Sequence, residues 1–342
     1  MEKEFKTIDE QIELLQNRNL HIENENIARE ILLNNNYYYL INGYKDVFLN
    51  KNSKEEKFAN GTTLEEIYSL YEFDRKIRII FLEYILLVER KIDTYIAYDF
   101  SKNYGHKNYL IPENFNNSNK NRELILKFIN DINLEISHQY KNSNKMIIHY
   151  LDTYKYIPLW VLIRILSFGK VSKFYSFMKQ KEQNNISRKF NIQSETLKIY
   201  LINLGNVRNI CAHDEKLYDV RLKKRINITD YHRQLMLTRK DNKTAYATRD
   251  LFSVIIILKI LLEKDVFNEF YHNIIAKIEK LETQLFTIKI DKVLYKMGFP
   301  KNYRNLFELW IIFWQDSYKK LGLPLQIYLT KEELKKFAYI LY

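Results

Sequence analysis

The chain has 342 residues and carries 54 Lys and Arg against 42 Asp and Glu, a formal charge of +12. Only seven Gly and four Pro are present, too few turn formers for a many-stranded sandwich, a barrel or a glycine-rich nucleotide loop. The one cysteine, Cys211, excludes a disulfide framework and a Cys-based zinc finger, and a hydrophobic share of 46% excludes a disordered chain.

Long helices with few sharp turns are what remains, so the expected fold class is all-α. The charged start Met1–Lys6 lacks the apolar core of a secretory signal. The runs Leu251–Leu262 and Leu306–Trp314 fall short of the roughly 20 residues of a membrane span. A cytoplasmic protein with no membrane partner is therefore expected. Residues 1–60 read as an N-terminal segment of one or two helices ending in Tyr37-Tyr-Tyr-Leu-Ile-Asn-Gly-Tyr44. Thr62 and Thr63 each stand three residues before a glutamate, a capping-box signature. Behind them Leu64, Ile67, Ile77, Phe81, Ile85, Val88, Ile92 and Ile96 recur at helical spacing to about Phe100, and Gly105 stops the helix. A second helix fits Arg122–Tyr140, with Leu126, Ile129 and Ile136 inward, after the Asn-rich loop Asn114–Arg122. The patch Lys141–Lys145 reads as another loop. A third helix starts at Pro158 and runs through Trp160, Ile163, Leu166, Val171 and Phe174, bent or interrupted near Gly169. Ser194 caps a fourth, whose stripe is Leu197, Tyr200, Leu201, Leu204 and Val207. These four helices, within residues 61–244, make a bundle-sized core. Residues 245–342 read as a C-terminal helical region, with helices over Ala245–Phe270, Ile274–Leu285, Tyr303–Leu321 and Lys331–Leu341.

The end of the fourth helix is unlike the rest. It gathers Asn206, Arg208, Asn209, His213 and Asp214 between Leu204, Val207, Ile210 and Leu217. Asn209 and His213, four apart, share a helix face; Arg208 and His213, five apart, are about 140° apart around the axis. These side chains suit RNA cleavage. An imidazole takes a proton from the ribose 2′-OH or gives one to the leaving 5′-oxygen. A guanidinium clamps the phosphate, and an asparagine orients either. The internal 2′-OH is the nucleophile, so neither metal nor other cofactor is expected, and the product is a 2′,3′-cyclic phosphate. A symmetric dimer would bring His213 of both chains to one composite site. The spacing alone is weakly specific, since Arg225 and His232 also fit Arg-x(4–6)-His. A buried Arg–Asn–His network that merely holds a helix end fits it too.

Arg208-Asn-Ile-Cys-Ala-His213, followed by Leu217-Tyr218, resembles the catalytic motif of the HEPN superfamily in its Abi-like form, the AbiD/AbiF abortive-infection family of bacterial phage defence. Leu40-Ile-Asn-Gly-Tyr-Lys-Asp-Val-Phe48 resembles its N-terminal Gly-Tyr segment. Phe73-Asp-Arg-Lys-Ile-Arg78, Val88-Glu-Arg-Lys-Ile92 and Tyr104-Gly105 resemble its first long helix and that helix's ending. Pro158-Leu-Trp160 and Leu166-Ser-Phe-Gly-Lys-Val-Ser172 resemble two further segments. The resemblance spans about Asn34 to Tyr218, and it departs at Lys216 and Asp219, where relatives often carry Arg and Asn. It implies a HEPN-like four-helix bundle with added N- and C-terminal helices, acting as a metal-independent endoribonuclease with its site across a homodimer. By position Arg208 and His213 are the catalytic pair and Asn209 the accessory residue. It also implies a small structured non-coding RNA as partner, restraining the protein as a toxin.

The basic stretch that follows holds Arg221, Lys223, Lys224, Arg225, His232, Arg233, Arg239, Lys240 and Lys243. Of these, Arg221, Lys223, Lys224, Arg225, Arg233, Arg239 and Lys240 are the candidate RNA-binding track; a solvated basic loop is the alternative. Asp74, Arg75, Arg78, Glu89 and Arg90 lie on the first long helix; Asp74 with Arg78, and Glu89 with Arg90 or Asp93, either orient the catalytic Arg or form structural ion pairs or solvated faces. Tyr37, Tyr38 and Tyr39 either stack on bases or pack in the core. Cys211 reads as a small buried residue. Two further functional classes stay open: a non-catalytic RNA-binding protein, and a protein-interaction scaffold.

Overall fold

The computed structural model describes residues 4–119, 121–238 and 246–309. In chain order the helices are α1 (Ile8–Asn17), α2 (Glu25–Asn34), α3 (Leu64–Tyr104), α4 (Arg122–Lys141), α5 (Lys145–Tyr154), α6 (Leu159–Leu162) and α7 (Phe168–Phe177). They continue with α8 (Gln180–Arg188), α9 (Ser194–Ala212), α10 (Asp230–Gln234), α11 (Leu251–Leu261), α12 (Lys264–Glu282) and α13 (Ile290–Met297). No strand is found among the described residues, where isolated bridges join His21 to Thr63 and Leu49 to Phe58, and the protein is all-α. Residues up to Lys301 form one compact unit, and those from Asn302 belong to a second, in which Tyr303–Glu308 is a short 3-10 helix. The boundaries placed near 60 and 244 thus fall inside the first unit. The expected helix Lys331–Leu341 and most of Tyr303–Leu321 lie outside the described residues.

The axis of the fold is α3, 41 residues long, or about 60 Å at 1.5 Å per residue. Thr63 starts it: its hydroxyl accepts from the Glu66 N–H, and the Glu66 carboxylate accepts from the Thr63 N–H in return. Gly105 ends it with φ +85°. Its stripe Leu70, Ile77, Phe81, Ile85, Val88, Ile92 and Ile96 is buried throughout, and α9 and α12 pack along it. The predicted stripe of α9, Leu197, Tyr200, Leu201, Leu204 and Val207, is also buried. Helix α11 is apolar on every side and buried on every side, Lys259 included. The Lys259 amine lies 5.3 Å and 4.6 Å from the ring centres of Tyr231 and Phe267, and burial lowers its pKa to about 7. No described helix is long and apolar enough to cross a membrane.

Several sequence expectations are corrected. On α4 the buried residues are Ile125, Phe128, Ile129 and Ile132, while Leu126 points outward and Ile136 is half-buried. The helix expected from Pro158 is interrupted, as one of the two expected forms, with the break at Leu166 and Ser167 just before Gly169. Short α6 passes into a 3-10 turn, and the Ser167 hydroxyl then caps α7 by accepting from the Lys170 N–H. The region after 245 divides at Leu262–Glu263, so that Ala245–Phe270 and Ile274–Leu285 are replaced by α11 and α12. Helices α5, α8 and α13 were not expected.

Candidate active site at the end of helix α9

Helix α9 carries Arg208 and Asn209 in its last turns, and His213 is its C-terminal cap, with the His213 N–H donating to the Asn209 carbonyl at 2.9 Å. Asn209 and His213 are exposed and Arg208 is half-buried. All three candidate catalytic residues therefore lie at one helix end, Asn209 and His213 facing solvent. The competing match separates instead. His232 is fully buried: Nδ1 accepts from the Thr229 N–H at 3.1 Å and Nε2 donates to the Ala247 carbonyl at 2.9 Å. Burial lowers its pKa, so it is a structural histidine and not part of the basic surface.

Arg208 faces α3. Its Nε lies 3.7 Å from the Glu89 carboxylate, beyond hydrogen-bond range, and both atoms are buried without another hydrogen bond among the described residues. Asp93 follows Glu89 one turn along α3, and Arg164 stands 3.9 Å from it. Burial pushes both carboxyls up. At Glu89 the guanidinium groups of Arg208 and Arg164 pull part of that shift back. Asp93, with Glu89 as a like-charged neighbour, titrates near 7. Two guanidinium groups and two reluctant carboxylates thus form one cluster beside the helix end. Arg90, on the exposed side of α3, takes no part.

The turn beyond His213 is fixed by a second, deeply buried group. Asp74 of α3 accepts from the Leu217 N–H at 3.1 Å, the Tyr218 N–H at 2.6 Å, the Tyr44 hydroxyl at 2.7 Å and Arg78 at 2.6 Å. Arg78 then reaches on to pair with Asp214, whose φ of +57° is a left-handed conformation that Asp tolerates better than most residues. Tyr44 stacks on Tyr218, ring centres 5.7 Å apart. Burial pushes the Asp74 carboxyl up, and Arg78 and the three other donors oppose it. Of the two readings of Asp74 and Arg78, the structural ion pair is the one found, and it holds the chain after His213. The signal was available, because Asp74 sits in register with the apolar stripe of α3.

Cys211 is buried and its thiol is pushed up to about 12, which disarms it as a nucleophile. Among the RNA-binding candidates, Arg221, Lys223, Lys224, Arg225 and Arg233 are exposed; Arg239 and Lys240 lie outside the described residues. The segment bearing the first four is not a loose loop. The buried amide of Asn203 on α9 both donates to the Lys224 carbonyl at 2.8 Å and accepts from its N–H at 3.0 Å. The Leu222 and Ile226 N–H groups donate to the carbonyls of Arg249 and Thr248. Leu222 and Ile226 point inward and four cations point out. Arg233 pairs with Asp230, and Lys216 with Asp219 at 2.8 Å. Tyr38 and Tyr39 are exposed.

Fold and site together define an all-α protein that displays an Arg–Asn–His edge at the end of a helix packed along one long helical axis. The family model described as Abi-like protein matches residues 30–219, more than half of the chain. The chain belongs to the Abi-like family, which associates it with abortive infection. No curated protein and no solved structure matches it.

Proposed function

We propose that the protein is a HEPN-type, metal-independent endoribonuclease of anti-phage abortive infection, working as a symmetric homodimer in the cytoplasm and partnered by a small structured RNA. The observation that carries this reading is the exposed His213 imidazole at the end of the helix that bears Arg208, while the chain's other Arg-x(4–6)-His match has its histidine buried. One His213 removes the proton from a ribose 2′-OH, which attacks the adjacent phosphorus. The partner copy's imidazolium protonates the departing 5′-oxygen, leaving a 2′,3′-cyclic phosphate and a 5′-hydroxyl. Arg208 stabilises the charge that builds on the non-bridging oxygens. Glu89 positions its guanidinium, and Asn209 holds the imidazole or the phosphate. The ordered cations Arg221, Lys223, Lys224 and Arg225 line an approach for the RNA backbone, contacts that position RNA without reading its sequence.

In EDTA, wild-type protein is expected to cleave single-stranded RNA with cyclic-phosphate ends and to leave DNA intact. Arg208→Ala and His213→Ala are expected to lose this activity while largely keeping the fold and RNA binding, since His213 is exposed and Arg208 only half-buried. Undiminished cleavage by His213→Ala refutes the assignment.

A further inference from the structure

Beside the Arg208–Glu89 cluster lies an open groove of about 510 Å³ between α3 and α6, within the range of small-molecule sites. Asp93 and Arg164 belong to the groove and to the cluster at once, so the two are continuous. One wall is an aromatic ladder. The His106 ring lies 5.2 Å from Tyr156 and 5.5 Å from Trp160, and its Nε2 is hydrogen-bonded to the Tyr156 hydroxyl at 3.1 Å. The backbone at this corner is pinned too: Pro158 sets the start of α6, and the Leu159 N–H donates to the His106 carbonyl at 2.8 Å. Trp160 is 52% exposed. A large rigid ring is therefore displayed over an open groove.

Two residues that line the groove, Asp93 and Ser101, each carry a buried oxygen, Oδ1 and Oγ, with no hydrogen-bond partner among the described residues. Buried polar atoms in native proteins are nearly always satisfied, so two such atoms on residues of the groove wall leave hydrogen-bonding capacity that a polar edge seated there would use. Arg164 and Lys102 line the same groove. A flat face, an edge with N–H donors and an attached anion are the chemistry of a nucleotide within a strand.

We propose that this groove is a base-binding subsite for single-stranded RNA, in which an unpaired base stacks on Trp160, presents its edge to Asp93 and Ser101, and leaves its phosphate to Arg164 and Lys102. The choice of RNA rests on the ribonuclease reading above. A base within a duplex cannot reach the ring, so the subsite selects unpaired RNA. It also places that nucleotide a short way along the strand from the bond facing Arg208, and so sets the register of cleavage. A second copy of the chain seated in the groove would also cover Trp160, and is the alternative the test separates.

The test uses the full-length chain bearing His213→Ala, so that binding is read without cleavage. The probe is a fluorescein-labelled oligoribonucleotide of mixed sequence, single-stranded or annealed to its complement, followed by anisotropy. Trp160→Ala is expected to weaken single-strand binding about tenfold or more, in line with the loss of one stacked base. Duplex binding should stay unchanged, and Trp160→Phe should restore most of the affinity. Arg164→Ala should reduce the salt slope by roughly one. Unchanged single-strand affinity in Trp160→Ala overturns the proposal, as does a loss equal for duplex; a change of oligomeric state without a change in RNA affinity assigns the groove to a second copy. If wild-type protein fails to cleave RNA while Trp160→Ala still loses affinity, the subsite stands and the nuclease reading falls. If it cleaves and Trp160→Ala binds normally, only the subsite falls.

Discussion

Asp74→Asn tests whether the turn after His213 is held from below. The side chain keeps its size and loses its charge. At present four donors converge on the two carboxylate oxygens: two backbone N–H groups, a phenol and a guanidinium, at 2.6 to 3.1 Å. The Leu217 and Tyr218 N–H groups go to different oxygens, so whichever way the amide turns, its NH₂ meets one of them donor to donor. Arg78 also loses its buried counter-charge and keeps only Asp214, which is largely solvent-facing. Hydrogen bonds to a charged group contribute about 1.5–3 kcal/mol each, but the burial cost of the carboxylate offsets much of their sum. Breaking one side of such a buried pair costs about 3–5 kcal/mol, a large part of the 5–15 kcal/mol typical of a folded domain. Urea unfolding should show a lower midpoint at unchanged slope, and RNA cleavage should fall below what the folded fraction accounts for, because the His213 turn loses its anchor. Arg75→Met, which removes an exposed pair with Glu72, should change stability by about 0.5 kcal/mol or less. A loss under about 1 kcal/mol in Asp74→Asn would refute the argument that desolvation and donor geometry dominate there.

Gly298→Ala is expected to destabilise by about 2–4 kcal/mol, from strain at positive φ and overpacking together. The glycine closes α13 at φ +80°, and an added Cβ would lie 2.1 Å from Asp250 Cγ, the carboxylate that caps α11. A thermal melt checks it, and an unchanged midpoint would contradict the close approach. Asp93 gives a pH dependence. Its carboxyl titrates near 7 when folded, against an ordinary 3.8, so the folded state holds a proton that the unfolded chain gives up near pH 4. Stability from this group is therefore highest at low pH, falls between about pH 4 and pH 7, and is level above. The shift corresponds to about 4 kcal/mol at most. Asp93→Asn should gain on wild type across that window in urea midpoints taken against pH; a constant difference from pH 4 to pH 8 would refute the sign.

How much was legible follows from what each signal measures. The frames of α3 and α9 were readable because a long apolar stripe at helical spacing has one way to be buried, and because Thr63 with Glu66 marks a start that backbone hydrogen bonding requires. Helix α8, QKEQNNISR, could not be read: its buried face includes Glu182, Gln183 and Ser187, polar groups that bond to Asn103 and Tyr104 far along the chain in the case of Glu182 and to the carbonyls of Tyr175, Ser176 and Met178 in the case of Gln183. On α4, apolar residues occupy both faces, and the pattern named Leu126 where packing chose Ile125 and Phe128.

The site divides the same way. The amino-acid order alone determined that Arg208, Asn209 and His213 share the end of one helix, because residue spacing on a helix is a matter of local geometry. Only the tertiary structure decided which of two equivalent spacings stays in contact with water, leaving His213 exposed and closing His232 in the interior. It alone brought Glu89, Arg164 and Asp74 to that helix end and turned Trp160 outward. Burial and long-range contact depend on what packs over a residue, and segments over a hundred residues apart supply that packing.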